Sequence, residues 1–244
     1  MAHPSSLVGI AKRLKDDLAL LRFGPPVNHV YNPLTYAWAP HVEYLRRYGA
    51  GEHAVLIVGM NAGYFGMAQT GIPFGDVPMV RDWLAIRAPV RRPRVMHPTR
   101  PIDGFDCARR EVSGQRLWGW ARDRYRTPGR FFARFFVLNY CPLCFLEASG
   151  ANRTPDKLPP DERAPLFAAC DNALRGAALA LNARYAIGLG RFAERRVEKV
   201  LGESLACSAA PHPSPANARP GRDFAHEMDR ALAALGVRPP RRVS

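Results

Sequence analysis

The sequence predicts a single-domain three-layer α/β/α sandwich built around a central, mainly parallel four-stranded sheet. Three observations point to it. Short, continuous apolar runs (Ala54–Val58, Arg134–Leu138 and Tyr185–Leu189) have the length and composition of strands buried on both faces. Segments of helical periodicity alternate with these runs. Parallel strands need crossover connections, and the crossovers place helices over both faces of the sheet.

Taken in order, Ser5–Leu21 reads as an amphipathic helix that carries Lys12, Lys15, Asp16 and Asp17 within its apolar pattern. That mixture excludes a secretory signal, which puts its charge before an unbroken apolar run. Strand Ala54–Val58 ends at Gly59. Val77–Ile86 has helical spacing, with Val77, Val80, Trp83 and Leu84 on one face. Arg87–Arg100 is rich in Pro and Arg and reads as a loop. A helix is expected over Trp118–Tyr125, then the strand Arg134–Leu138, a loop at Gly150–Pro160 and an Ala/Leu-rich helix over Arg163–Leu181. Strand Tyr185–Leu189 leads to a helix over Arg191–Leu201 and a weaker fourth strand near Leu205–Ala209. The loop Pro211–Arg222 precedes a closing helix, Phe224–Leu235, and a basic tail with Arg238, Arg241 and Arg242. Residues 1–50 are expected as a helical segment packed on the core, 51–236 as the catalytic domain, and 237–244 as a disordered basic tail.

Lys and Arg number 35 against 21 Asp and Glu, a formal net charge of +14. Such an excess serves either solubility or a polyanionic partner, because Lys and Arg at phosphates release counterions and supply affinity without sequence preference. No apolar stretch is long enough to span a bilayer. The five cysteines are an odd number without an export signal, so disulfide stapling is not expected and a reduced cytoplasm is the default compartment. Cys141-Pro142-Leu143-Cys144 lacks a second ligand pair for zinc and follows a strand rather than opening a helix, so it reads as buried structural cysteine.

Open α/β sheets bind ligands beyond the carboxyl ends of their strands, and three segments fall there. Gly59 through Gly75 (GMNAGYFGMAQTGIPFG) leaves the first strand and is dense in glycine, which permits close backbone approach and positive φ. It lacks both the Gly-Lys-Ser/Thr of a phosphate loop and the G-x-G-x-x-G of a dinucleotide fold. It reads either as a backbone-lined pocket, with Asn61 as polar group and Phe74 as stacking face, or as a structural turn. His212-Pro213-Ser214-Pro215 holds a histidine in a stiff extended loop after the fourth strand. Asn139 emerges from the strand Arg134–Leu138; its amide can satisfy one edge of a pyrimidine or cap a local turn.

Together these segments resemble the single-strand-selective monofunctional uracil-DNA glycosylases, a branch of the uracil-DNA glycosylase superfamily. The likeness runs through Gly59–Leu84 (GMNAGYFGMAQTGIPFGDVPMVRDWL) and Glu111–Gly119 (EVSGQRLWG), and resumes at Asn139–Pro142, Ser149–Pro159 and His212–Asn217. It implies a uracil-DNA glycosylase-like fold and base excision from single-stranded and damaged duplex DNA by a monomer that needs no cofactor or metal. By the same resemblance, Asn61 positions the attacking water and His212 donates to uracil O2. Phe74 stacks on the flipped base, Asn139 reads its Watson–Crick edge, and Met60 and Gly63 line the pocket through their backbones. Pro213 to Arg222, including Ser214, Pro215, Ala216 and Arg219, forms the wedge that enters the duplex. Glycine at 63 leaves room for a substituent on uracil C5, which implies 5-hydroxymethyluracil as a further substrate, with thymine rejected.

The chain departs from the vertebrate members at Ala62 and Tyr64, where they carry prolines, and at Ala216, where they carry arginine. Tyr64 is expected to add bulk near the pocket mouth, and the missing arginine to increase the bias toward single strands and mispairs. Two other readings stand beside this one: a related glycosylase for deaminated purines, and a non-catalytic module for damaged DNA. The pairing of Asn61 with His212 argues against the module, because binding needs neither.

Overall fold

The computed structural model describes residues 6–215 and 223–240. Helix α1 (Leu7–Ala19) starts where the Ser6 hydroxyl accepts the Gly9 N–H at 3.2 Å, and it buries Leu7, Ile10, Ala11 and Leu18. Strand β1 (Val27–Tyr31), α2 (Pro33–Tyr36) and α3 (Trp38–Tyr48) follow. Residues 1–50 thus contribute a strand as well as helices. Then come β2 (Val55–Asn61), α4 (Met67–Thr70), α5 (Val112–Tyr125), α6 (Pro128–Phe132), β3 (Phe135–Cys141), β4 (Cys144–Glu147) and β5 (Asn152–Arg153). Helix α7 (Pro160–Ala180), β6 (Tyr185–Leu189), α8 (Arg191–Leu201), β7 (Ala206–Ala210) and α9 (Phe224–Ala234) complete the chain.

The main sheet has the order β3-β2-β6-β7 and is parallel throughout. The expected four-stranded parallel sheet between helices is therefore present. Val55, Leu56, Ile57 and Val58 are fully buried in β2, which lies between two neighbours. Alternation along β3 divides its side chains between two helix layers. On one face Phe135 meets Trp120 and Tyr125 of α5 and Phe131 of α6, at ring-centroid distances of 6.1, 5.2 and 5.0 Å. On the other, Phe136 meets Tyr44 of α3 at 5.2 Å, and Tyr140 meets Phe167 of α7 and Phe192 of α8 at 5.7 and 5.6 Å.

Three features differ from the sequence reading. Strands β2 and β3 both run three residues beyond their apolar cores, because Gly59 pairs with Asn139 and Asn61 with Cys141 in a ladder that hydropathy does not register. The helical spacing over Val77–Ile86 yields a shorter element, helical from Val77 and ending in a π-helical turn, Met79–Trp83. It stops because the Leu84 carbonyl accepts from Tyr48 Oη at 2.7 Å and Ala85 turns to φ +52°. A second, antiparallel sheet of order β1-β4-β5 packs beside the first, with Tyr31 opposite Cys144. Its strands are short and lack a strong apolar run, and β5 lies within the expected loop Gly150–Pro160. Cys141, Cys144 and Cys170 are free and buried, as the C-x-x-C reading expected of the first two.

Candidate active site

The carboxyl ends of β2 and β3 carry the first polar groups. Gly59 and Asn139 sit opposite one another in register. A Cβ on Gly59 would come 2.4 Å from Asn139 Oδ1 and 2.5 Å from Phe74 Cζ, so the missing side chain is what lets the amide and the ring converge. Asn139 Oδ1 is buried and finds no hydrogen-bond partner among the described residues, while its Nδ2 reaches only the Met67 sulfur at 3.4 Å. A buried acceptor without a donor is costly, so the geometry suits a ligand that brings one.

Phe74 is held in an unusual conformation, φ +53°, which is rare outside glycine. Its carbonyl accepts from Trp118 Nε1 at 3.0 Å and from the Asp76 N–H at 2.8 Å. Gly114 of α5 lies close enough that a Cβ there would come 2.1 Å from that same carbonyl. Asp76, fully buried, receives Arg110 through both carboxylate oxygens at 2.9 and 2.8 Å and the Glu111 N–H at 3.0 Å. The start of α5 is thereby clamped to the loop that presents the Phe74 ring.

Asn61 ends β2. Its Nδ2 donates to the carbonyls of Ala62 (3.2 Å) and Leu143 (3.1 Å), which uses both amide hydrogens and leaves Oδ1 as the end available to an incoming water. His212 follows β7, and its ring lies 5.9 Å from Phe74. The Ser214 N–H donates to His212 Nδ1 at 3.1 Å. A ring nitrogen that accepts carries no proton, so the neutral imidazole presents N–H at Nε2. Burial pushes the imidazole pKa down to about 4, which keeps the ring neutral at physiological pH. Gly190 (φ +84°) lets the chain pass beside the His212 Cβ, and Arg116 Nη1 holds the Pro213 carbonyl at 2.9 Å.

Met60, Asn61, Gly63, His212, Pro213 and Ser214 line one cleft of about 1330 Å³. The fold therefore brings Asn61, Gly63, Phe74, Asn139 and His212 to one end of the sheet, with Met60 beside them. Pro215 is exposed at the cleft's edge, whereas Ala216, Arg219 and Arg222 lie outside the described residues. Arg116, Arg122, Arg191 and Arg195 line the cleft together with acids such as Asp123 and Glu194, so its charge is mixed. Much of the positive excess lies instead in the Arg87–Arg100 loop. Tyr64 does not narrow the pocket mouth as expected. Its hydroxyl donates to the Pro101 carbonyl at 2.6 Å and its ring packs under Arg100, which turns it toward that loop. Sequence reasoning missed the roles of Gly59, Asp76, Arg110 and Trp118, which act only through contacts distant along the chain.

Comparisons with known proteins show the family. The family model for the uracil DNA glycosylase superfamily matches residues 46–236. The chain is 44% identical over 230 residues to the single-strand selective monofunctional uracil DNA glycosylase of Mus musculus, covering 93% of this chain and 82% of the relative. The Bos taurus protein of the same name is also 44% identical, with 93% and 85% covered. Among solved structures, that of Pedobacter heparinus SMUG2 shares the fold, with a TM-score of 0.65 at 19% identity over 93% of this chain and 97% of that one. By its family match and by its identity to these relatives, the chain belongs to the single-strand selective monofunctional branch of the uracil DNA glycosylase superfamily.

Proposed function

We propose that this protein is a monofunctional DNA glycosylase of base excision repair. It hydrolyses the N-glycosidic bond of uracil and 5-substituted uracils, such as 5-hydroxymethyluracil, in single- and double-stranded DNA and leaves an abasic site. The observation that carries the reading is the unpartnered Asn139 acceptor beside the Phe74 ring and a neutral, proton-donating His212. Uracil offers N3–H to Asn139 Oδ1, and its O4 can draw Nδ2 away from the weak sulfur contact. Its O2 accepts from His212 Nε2.

Breaking the bond leaves negative charge on the base and an oxocarbenium-like sugar. A preorganised donor aimed at such a developing anion is typically worth about 3 kcal/mol, and a neutral donor avoids the cost of burying a cation beforehand. The cationic sugar accepts a weak nucleophile, so Asn61 needs only to hold a water through Oδ1 and need not remove its proton early. Flipping the base out costs a few kcal/mol in a duplex and least in single strands or mispairs. Stacking on Phe74 and phosphate attraction to the cationic surface offset that cost, while the wedge residues Pro213, Ser214, Pro215, Ala216, Arg219 and Arg222 hold the base out of the duplex. Among the described residues no lysine lines the cleft, which supports a monofunctional reaction without a Schiff base.

The test is incubation in EDTA with labelled oligonucleotides that carry uracil, single-stranded or opposite G or A, followed by alkali. Alkali-dependent cleavage at uracil, lost in folded Asn61→Ala and His212→Ala variants, is the expected result. Tight binding with no excision of any modified base would instead identify a damage-binding module.

A further inference from the structure

One half-buried ionisable group beside the base pocket has no part in the reaction described so far. Glu111 caps α5 through Oε1, which accepts the Ser113 N–H at 3.0 Å. Its second oxygen points elsewhere. A Cβ built on Gly63 would come 3.0 Å from Glu111 Oε2, and one built on Gly66 would come 3.3 Å from it. The volume that glycine leaves at position 63 therefore ends on a carboxylate oxygen rather than on hydrocarbon. Glu111 lines the same cleft as Asn61, Gly63 and His212. The contact is built in, because the Glu111 N–H is held by the Asp76–Arg110 pair. Partial burial pushes the Glu111 carboxyl pKa upward.

The orientation of the base follows from the groups around it. With O2 toward His212 and the N3–O4 edge toward Asn139, the C5–C6 edge is left to face Gly63. Hydroxymethyl is larger than methyl, so a pocket that accepts the first and rejects the second cannot select by volume. It needs a polar group. We propose that Glu111 determines specificity at C5, its Oε2 accepting a hydrogen bond from a donor substituent such as hydroxymethyl. This rests on the reading that 5-hydroxymethyluracil is a substrate and thymine is not.

A hydroxyl there makes a charge-assisted hydrogen bond. A methyl displaces water from the carboxylate and returns nothing, the arrangement by which polar sites reject apolar analogues. An anionic substituent, as in 5-carboxyuracil, is repelled. Uracil itself leaves space for a water that bridges to Oε2.

The experiment measures single-turnover excision at pH 8 from single-stranded oligonucleotides bearing uracil, 5-hydroxymethyluracil, thymine or 5-carboxyuracil. It compares the wild-type protein with Glu111→Asp and Glu111→Gln. Aspartate can still cap α5 but withdraws the carboxylate from Gly63. The 5-hydroxymethyluracil-to-thymine rate ratio should fall about tenfold or more. Glutamine can cap through its oxygen and turn an amide donor toward the base, so the 5-carboxyuracil-to-uracil ratio should rise about tenfold or more. Uracil excision by each variant reports that it is folded. As a check that needs no variant, free 5-hydroxymethyluracil should inhibit the wild-type protein more strongly than free thymine. Unchanged ratios in active variants, or equal inhibition by the two free bases, overturn the role of Glu111 alone. Wild-type protein that excises uracil but leaves 5-hydroxymethyluracil intact overturns the substrate reading and this proposal with it.

Discussion

His212 is useful because of the proton it does not hold. In water an imidazole binds a proton near 6.5; here burial lowers that to about 4, while the Ser214 N–H fixes which nitrogen donates. Excision should therefore stay flat as pH falls from 8 to about 5 and decline only as the ring protonates near 4. Stability follows the same linkage. The unfolded chain binds the proton at the ordinary value and the folded chain only at the lowered one. Stability is thus complete above about 6.5 and is lost as pH falls toward 4. Buried His41, whose Nδ1 lies 2.8 Å from the Gly71 carbonyl and whose pKa is also lowered to about 4, acts in the same direction. Proton uptake on unfolding at pH 5.5 should fall by nearly one in His212→Asn; an unchanged uptake would contradict the lowered pKa. Replacing His212 by alanine should slow single-turnover excision by about 10² to 10³, and an effect under tenfold would remove it from the chemistry.

Strand ends and a helix start carry the geometry that single residues use. Strands β2 and β3 continue past their apolar cores so that Gly59 lies under Phe74 and opposite Asn139. Gly59→Ala should overpack this floor. It is expected to cost about 1–3 kcal/mol of stability and to weaken base binding well before the chemical step, seen as a larger rise in KM than fall in kcat. Helix α5 holds the other side through Asp76, whose buried carboxylate ties Arg110 and the Glu111 N–H together. Asp76→Ala leaves that N–H without its acceptor and should lower stability by about 1–3 kcal/mol in chemical denaturation. Normal stability in that variant would mean that the clamp is dispensable.

For the molecule as a whole, the positive excess and the mixed charge of the cleft divide the work. On the proposed function, phosphate attraction comes from the surface at large, whereas the base is read by a few neutral groups and the Glu111 carboxylate. Binding to uracil-free single strands should weaken steeply with salt, as counterion release requires, and Asn139→Ala should not change that slope. A salt-independent affinity would argue against a polyanion partner. With Ala216 in place of a bulky wedge residue, excision should be faster from single strands and U:G mispairs than from U:A pairs. Equal rates on single-stranded and fully paired uracil would refute the weakened wedge.

The main sheet was legible in the sequence because buried parallel strands leave continuous apolar runs, and Val55–Val58 and Tyr185–Leu189 have no polar residue to obscure them. The helix over Arg191–Leu201 was legible too, since one apolar stripe and a preceding glycine define it locally. Asn61, Phe74, Asn139 and His212 stood out because each follows a strand or lies in a glycine- or proline-marked loop, and the likeness to a known family gave them roles. The second sheet was not legible, because β1, β4 and β5 are short and depend on pairing with distant partners. Nor could local pattern show that Gly59 is a floor, that Tyr64 turns away from the pocket, or that Glu111 closes the space beside Gly63. Composition and periodicity are local properties and determine elements and their order. Which groups meet, which lose their water and which are left without a partner depends on residues far apart in the chain, and tertiary packing alone decided it.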